Sequence, residues 1–473
     1  MASQNLTDYE RKRLNNIRRN NEMMAALKLH SKATQLSKRP RVATKSSPNS
    51  KSEKKKPKIE IPLVIRRSLR TRGIPPITPD SVDSNPIPNK SPIKIESSVK
   101  NLGPLAMSDT YDSTHSDMSF IESIVGMAKK ETSNPSVGVI CDVEENKKNG
   151  SFKLESMSLE YENIARVVPG RITDVRFFPS NSVRMIVVGN KFGNIGFWNI
   201  GDTDDTNGEP QVYLYHPHQA PISGIFVQGN CLSKIYTSCY DGLIRVMDAE
   251  KEVFDLVFNS DECIYSLSQS KSDSNCLYFG EGRGSLTLWD NRIGKSQSQW
   301  VLHEDRINTI DFNCENPHIV ATSSSDGTAC TWDLRYTDGD KMTALKTFTH
   351  RRALQSAYFS PSGHSLATTS MDNKIGIYSG VNLEDSTSIY HDNQTGRWIS
   401  SFRAIWGWDD LYLYVGNMKR GVDVVSAIQN KQVTTLQSTY ISAIPCRFHA
   451  HPYEVGTLAG ATSGGQVYIW TLR

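Results

Sequence analysis

The eight cysteines of this 473-residue chain (Cys141, Cys231, Cys239, Cys263, Cys276, Cys314, Cys330 and Cys446) never form a Cys-x-x-Cys pair. This spacing argues against a zinc cluster and against the dense disulfide framework of a small secreted domain, and it fits a reducing compartment. No apolar run approaches the roughly 18 residues of a membrane span. The charged N-terminus has no apolar segment of the kind a secretory signal carries. Gly-x-x-x-x-Gly-Lys-Ser/Thr and His-Glu-x-x-His are absent, and no nucleophile stands beside a base. An enzyme, a cofactor, a metal and a small-molecule substrate are therefore not expected. Gly280-Glu281-Gly282-Arg283-Gly284 is glycine-rich, but it joins two strand-like segments and reads as a turn.

The net charge of +4 conceals an asymmetry. Residues 1–100 hold 23 Lys and Arg against 8 Asp and Glu, a net of +15, which leaves −11 on the remainder. A basic arm on a mildly acidic body points to nuclear targeting, nucleic-acid contact or both. Residues 31–150 are rich in Ser, Pro, Lys and Asn and poor in aromatics, and are expected to form a largely disordered linker. Residues 1–30 carry a short basic helical segment, Leu6 to Leu29, and a second helix is possible from Phe120 to Lys130. The alternative is that both fold only on a partner. Lys38-Arg39-Pro40-Arg41 and Lys54-Lys55-Lys56-Pro57-Lys58 resemble nuclear addresses, with solvated linker charge as the alternative.

Residues 151–473 are periodic. Strand-like segments end at Trp198, Met247, Trp289, Trp332, Tyr378, Val424 and Trp470, with intervals of 49, 42, 43, 46, 46 and 46 residues. Two of these tryptophans continue as Trp-Asp-x-Arg, at Trp289-Asp290-Asn291-Arg292 and Trp332-Asp333-Leu334-Arg335. That period with Trp-Asp is the pattern of WD-repeat propeller blades. The expected fold is all-β: a seven-bladed propeller. The chain stops three residues after Trp470, so the last blade should borrow a strand from Ser158 to Val168 and close the ring without an open sheet edge. His303, Ser324, Asp326 and Trp332 match the tetrad that staples such blades, as do His350, Thr369, Asp372 and Tyr378, and less cleanly His216, Ser238 and Asp241. These are polar groups satisfied inside blades rather than catalytic sets.

In such a blade the turn between the second and third strands and the loop entering the first strand share one face, the top. Arg171, Arg306, Arg351 and Arg352 precede first strands, and Lys191, Arg283, Lys419 and Arg420 lie in second-to-third-strand turns. Eight basic residues on one face of an acidic body suggest a phosphate footprint. The alternative is a solvated rim balanced by acids such as Glu304 and Asp305. The segment Tyr390 to Trp398 enters the sixth blade from this face, and its Asn393, Gln394, Arg397 and Trp398 can supply phosphate contacts, base-edge hydrogen bonds and a stacking or wedge residue. Otherwise Trp398 packs beneath the rim beside Trp406. On the opposite face, Arg292 and Arg335 present rigid planar donor arrays suited to a protein interface.

These residues carry a resemblance. The paired Trp-Asp-x-Arg resembles the motif by which WD-repeat substrate receptors dock on the large damage-binding adaptor of cullin-4 ubiquitin ligases. Leu6 to Arg13 continuing through Asn20, Arg66 to Gly73, and Asn393-Gln394-Thr395-Gly396-Arg397-Trp398 resemble the WD repeat-containing protein 76 family and its fungal relatives. A more distant likeness is to the small subunit of the ultraviolet-damage DNA-binding protein. The resemblance implies a nuclear DNA-binding propeller linked to genome maintenance, with DNA, a cullin-4 ligase adaptor and histones or chromatin as partners. It places the loop ending at Arg397-Trp398 where the damage sensor has its inserting hairpin. That sensor's aromatic-Gln-His wedge is absent here, so lesion recognition is not implied. A helical adaptor-binding arm has Phe120 to Lys130 as its nearby candidate.

Overall fold

Seven antiparallel sheets follow one another around a ring. The computed structural model describes Arg18 and residues 100–112, 116–132, 153–203, 209–270, 272–338, 341–396 and 398–473. The N-terminal basic helix, the nuclear-address runs, Arg66 to Gly73 and Arg397 lie outside the described residues.

Blade 1 is built from Ile172–Phe177, Met185–Asn190, Ile195–Thr203 and Pro210–Tyr215, innermost to outermost. Blades 2 to 6 repeat the order, with innermost strands Ile222–Val227, Ile264–Ser268, Ile307–Phe312, Leu354–Phe359 and Ile405–Trp406. In blade 7, Pro445–Ala450, Leu458–Thr462 and Gln466–Leu472 take Met157–Arg166 as their outermost strand. Leu159 pairs with Trp470 and Ala165 with Val467, so the expected closure is present. Gly465 explains how tightly it closes. Its φ is +86°, and a Cβ there would strike the Val168 carbonyl, so neither geometry nor space tolerates a side chain.

Each blade buries apolar residues on both faces because neighbouring blades cover both. The second strand of blade 1, Met-Ile-Val-Val-Gly-Asn, is buried throughout, as expected of a strand with no solvent face.

The tetrads are real, but their hydroxyls differ from the sequence expectation. In blade 4 the bridging hydroxyl is Thr322: it meets His303 Nε2 at 2.7 Å and accepts the Trp332 indole N–H at 2.8 Å, while His303 Nδ1 meets Asp326 at 3.1 Å. Ser324 instead donates to the Asp305 carbonyl. Blade 5 uses Thr368 rather than Thr369, whose hydroxyl accepts the Ala404 N–H from the next blade. In blade 2 the buried histidine is His218, 2.9 Å from Thr237, not His216, which is exposed and reaches the Phe192 carbonyl. Strand register decides these assignments: Thr322 lies opposite Cys330, two residues from Trp332, within reach of the indole.

The linker expected over residues 31–150 is ordered in part. Leu105–Ala106 adds a fifth strand to blade 2 opposite Phe254 and Val253, and Tyr111 bridges to Tyr215 of blade 1. The helix Met118–Thr132 lays Phe120, Ile121, Ile124, Met127 and Ala128 on the blades. This spacing of three and four residues forms one helical stripe. Phe120 packs 4.7 Å from both Phe197 and Tyr213, and the Tyr215 hydroxyl donates to Asp117 at 2.9 Å. Arg245, only 1% exposed, donates to the carbonyls of Asn101, Gly103 and Phe254 at 2.5, 2.9 and 3.3 Å. The partner on which this helix folds is therefore the chain's own outer edge. Strand and helix together form a strap, from Lys100 to Thr132, over the outer edges of blades 1 and 2, and each of its fully buried apolar side chains contributes roughly 1.5–3 kcal/mol.

Candidate nucleic-acid interface

Strands alternate in direction across a blade, so the entry to the first strand and the turn between the second and third lie at one end. The eight expected basic residues all reach that end, from blades 1, 3, 4, 5 and 6. They are not equivalent. Arg351, Arg352, Lys419 and Arg420 are exposed, and no side-chain acceptor is recorded for any of them among the described residues. Lys191 is half-buried with its ammonium 4.4 Å from the Phe192 ring centroid. Arg306 donates from Nε to Ser325 at 3.0 Å and stacks 4.8 Å over Tyr265. Arg283 is exposed but paired with Glu262 at 2.9 Å, so its charge is already partly answered. Arg171 is half-buried at the mouth of the central channel.

The segment entering blade 6 divides into structural and available residues. Asn393 is 1% exposed: its amide donates to the carbonyls of Ser370 and Lys374 at 2.8 and 3.2 Å, and its oxygen meets His391 at 2.7 Å. It caps main-chain groups and cannot reach a base edge. Gln394 is exposed, with its amide committed to the Met371 carbonyl at 2.7 Å. Trp398 is 83% exposed, whereas Trp406 is buried and donates to the Tyr358 carbonyl at 2.9 Å. The alternative of Trp398 packed beside Trp406 is overturned.

Sequence reasoning missed two aromatic residues on this face. Phe192 and Tyr240, 49% and 37% exposed, sit in the tight turns of blades 1 and 2. The readable signal was an aromatic placed in a turn, where no neighbouring blade can cover it.

On the opposite face Arg292 and Arg335 are exposed, each folded on the aspartate of its own motif. Arg335 reaches Asp333 at 2.6 and 2.9 Å, and Arg292 reaches Asp290 at 2.6 and 3.1 Å. Ile293 and Tyr336 beside them are 58% and 72% exposed, so two charged forks stand within apolar surface. The helix considered as an adaptor-binding arm is not free for that role, because its apolar stripe lies on blades 1 and 2.

Among the described residues, one group has ligand atoms close enough to consider for a metal: His218, Cys239 and Asp241, within 4.8 Å of one another. They occupy the tetrad position of blade 2. Burial pushes the Cys239 thiol up, and its S–H donates to the Ala220 carbonyl, so the group acts as a staple rather than as a thiolate ligand.

The WD domain, G-beta repeat model matches residues 294–333 and 342–379. The chain is 28% identical to WD repeat-containing protein 76 of Xenopus laevis, over 98% of this chain and 80% of that protein. It is 26% identical to DNA damage-binding protein CMR1 of Vanderwaltozyma polyspora over 98% of both chains. With DNA damage-binding protein cmr1 of Neurospora crassa it shares 29% identity over 65% of this chain and 66% of that protein. Seven closed blades, the stapling tetrads and these similarities together place the chain in the WD-repeat propeller family.

Proposed function

We propose that this is a nuclear, non-catalytic DNA-binding propeller of the DNA damage response, with duplex lying across the top face. The observation that carries the reading is Trp398, exposed in the loop entering blade 6, on the same face as Arg351-Arg352 of blade 5 and Lys419-Arg420 of blade 6, which meet no side-chain acceptor among the described residues. Cations that answer phosphate beside a flat ring free to stack are what sequence-tolerant nucleic-acid binding requires. The burial of Asn393 and the commitment of Gln394 leave few base-reading groups, which favours recognition of DNA structure over sequence. The name DNA damage-binding protein, borne by the fungal relatives, agrees with this reading.

The opposite face suits a protein partner. Arg292 and Arg335, with Ile293 and Tyr336, would dock the chain on the adaptor of a cullin-4 ubiquitin ligase and make it a substrate receptor. A chromatin scaffold whose top face holds an acidic or histone-derived peptide is the competing reading.

A salt series with full-length chain and duplex DNA tests the proposal. Five or six phosphate contacts give a log–log slope of about −5, from roughly −0.9 per phosphate. A nearly flat slope, or no duplex binding once the basic arm is removed, would assign the top face to a peptide.

A further inference from the structure

The central channel gathers more positive charge than the described residues neutralise. Arg176 of blade 1, Arg403 of blade 6 and Arg447 of blade 7 converge there, with Arg171 at the top mouth. Arg403 reaches past blade 5 to donate to the Asn308 carbonyl of blade 4 at 3.1 Å, and with Arg176, Ser223 and Tyr358 it lines a small cavity. Arg447 donates to the carbonyls of Thr173 and Ser401. These are neutral acceptors, which leave the guanidinium charge in place.

The nearby carboxylates are largely committed elsewhere. Asp174 accepts the backbone N–H groups of Val175 and Ile225 at 3.0 and 2.9 Å and stands 3.5 Å from Arg176 Nε, and Asp311 accepts that of Phe359 at 2.7 Å. Among the described residues, four arginines against two carboxylates leave two positive charges in a narrow, walled space. The Nε–H groups of Arg171 and Arg403 are shielded and find no hydrogen-bond acceptor among the described residues, and that of Arg176 has only Asp174, at 3.5 Å. Leaving charged donors unanswered in such a place costs free energy. The strain is mutual: burial, and then the charge of Arg403, press Arg447 down to about 10. Arg176 nonetheless keeps 35% of its side chain open to the channel, so the donors are accessible to a small solute.

We infer that the channel is an oxyanion well whose ligand is a phosphate group, gripped by Arg403, Arg447 and Arg176. Guanidinium forks match tetrahedral oxyanions in shape as well as charge. The phosphate is either free in solution or belongs to a nucleic acid lying over the mouth.

Phosphorus-31 line broadening and thermal melting of the full chain with inorganic phosphate test this assignment. Phosphate should raise the melting temperature and bind saturably. Arg403→Gln should weaken it at least tenfold, Arg403→Lys should retain part of the binding, and Lys431→Gln, at an exposed lysine on the outermost strand of blade 6, should bind as wild type. Absence of saturable binding by the folded wild type would overturn the well, as would undiminished binding in a folded Arg403→Gln chain. An equal loss in the Lys431→Gln chain would do the same, because it would mark general attraction to surface charge. Duplex binding measured alongside separates the sources. Phosphate lost with duplex affinity intact means a free ligand; both lost together, with mutual competition, means a backbone phosphate. Saturable phosphate binding by a chain that ignores duplex would keep the well and remove the DNA reading.

Discussion

Arg335 grips Asp333 with two parallel hydrogen bonds, Nη2 to Oδ2 at 2.6 Å and Nε to Oδ1 at 2.9 Å. Arg292 and Asp290 repeat the fork one blade earlier. Both arginines remain exposed, so each aspartate acts as a splint that holds a guanidinium at the surface. Exposed pairs of this kind add little to folding. The double variant Arg292→Ala/Arg335→Ala should therefore melt like wild type while losing capture of the cullin-4 ligase adaptor in a purified two-component assay. Undiminished capture would remove the bottom face from the proposal.

Trp398 is free of the core, so Trp398→Ala should leave melting unchanged. If the ring stacks on a base, duplex affinity falls by about 1–3 kcal/mol at fixed salt, with the salt slope unaltered because no phosphate contact is lost. An indifferent Trp398→Ala chain would leave the basic residues as the whole of any DNA footprint.

The strap should matter to stability as much as a blade does. Phe120 is 1% exposed against Phe197 and Tyr213, and Phe120→Ala should destabilise by about 3–5 kcal/mol in denaturant titration. A chain starting at residue 151 would uncover Tyr215 and Phe254 and should bind a hydrophobic dye that the full chain ignores. Equal stability with and without residues 100–132 would relegate the strap to a surface ornament.

Acid should loosen the ring before it reaches the carboxylates. Burial lowers His303 and His350 below the ordinary 6.5, outweighing their aspartate partners, and lowers His218 to about 4. His449, beside Arg176, is held well below the ordinary value, chiefly by burial. A group depressed in the fold binds its proton more readily when unfolded, so its stabilisation is complete above the unfolded value and drains away as pH falls. The melting temperature should decline steadily from about pH 6.5 toward about pH 4, and a flat profile over that window would contradict the neutral, buried assignment.

The repeat of Trp198, Met247, Trp289, Trp332, Tyr378, Val424 and Trp470 was enough to set seven blades, and the turn positions of Arg171 to Arg420 were enough to set their face. Both follow from local rules: strand period, tight turns, and the alternating direction of antiparallel strands. What pairs across strands was not local. Thr322 rather than Ser324 bridges His303 to Trp332, because register and side-chain reach choose the hydroxyl. Asn393 and Trp398, five residues apart in one polar loop, could not be told apart by composition, yet one caps buried carbonyls and the other stands in solvent. Residues 100–132 look solvated by composition, but blades 1 and 2 offer an apolar outer edge that only the assembled ring creates. Arg176, Arg403 and Arg447 lie up to 271 positions apart in the chain. Only ring closure brings their charges into one channel, because every blade contributes its innermost strand to the same axis.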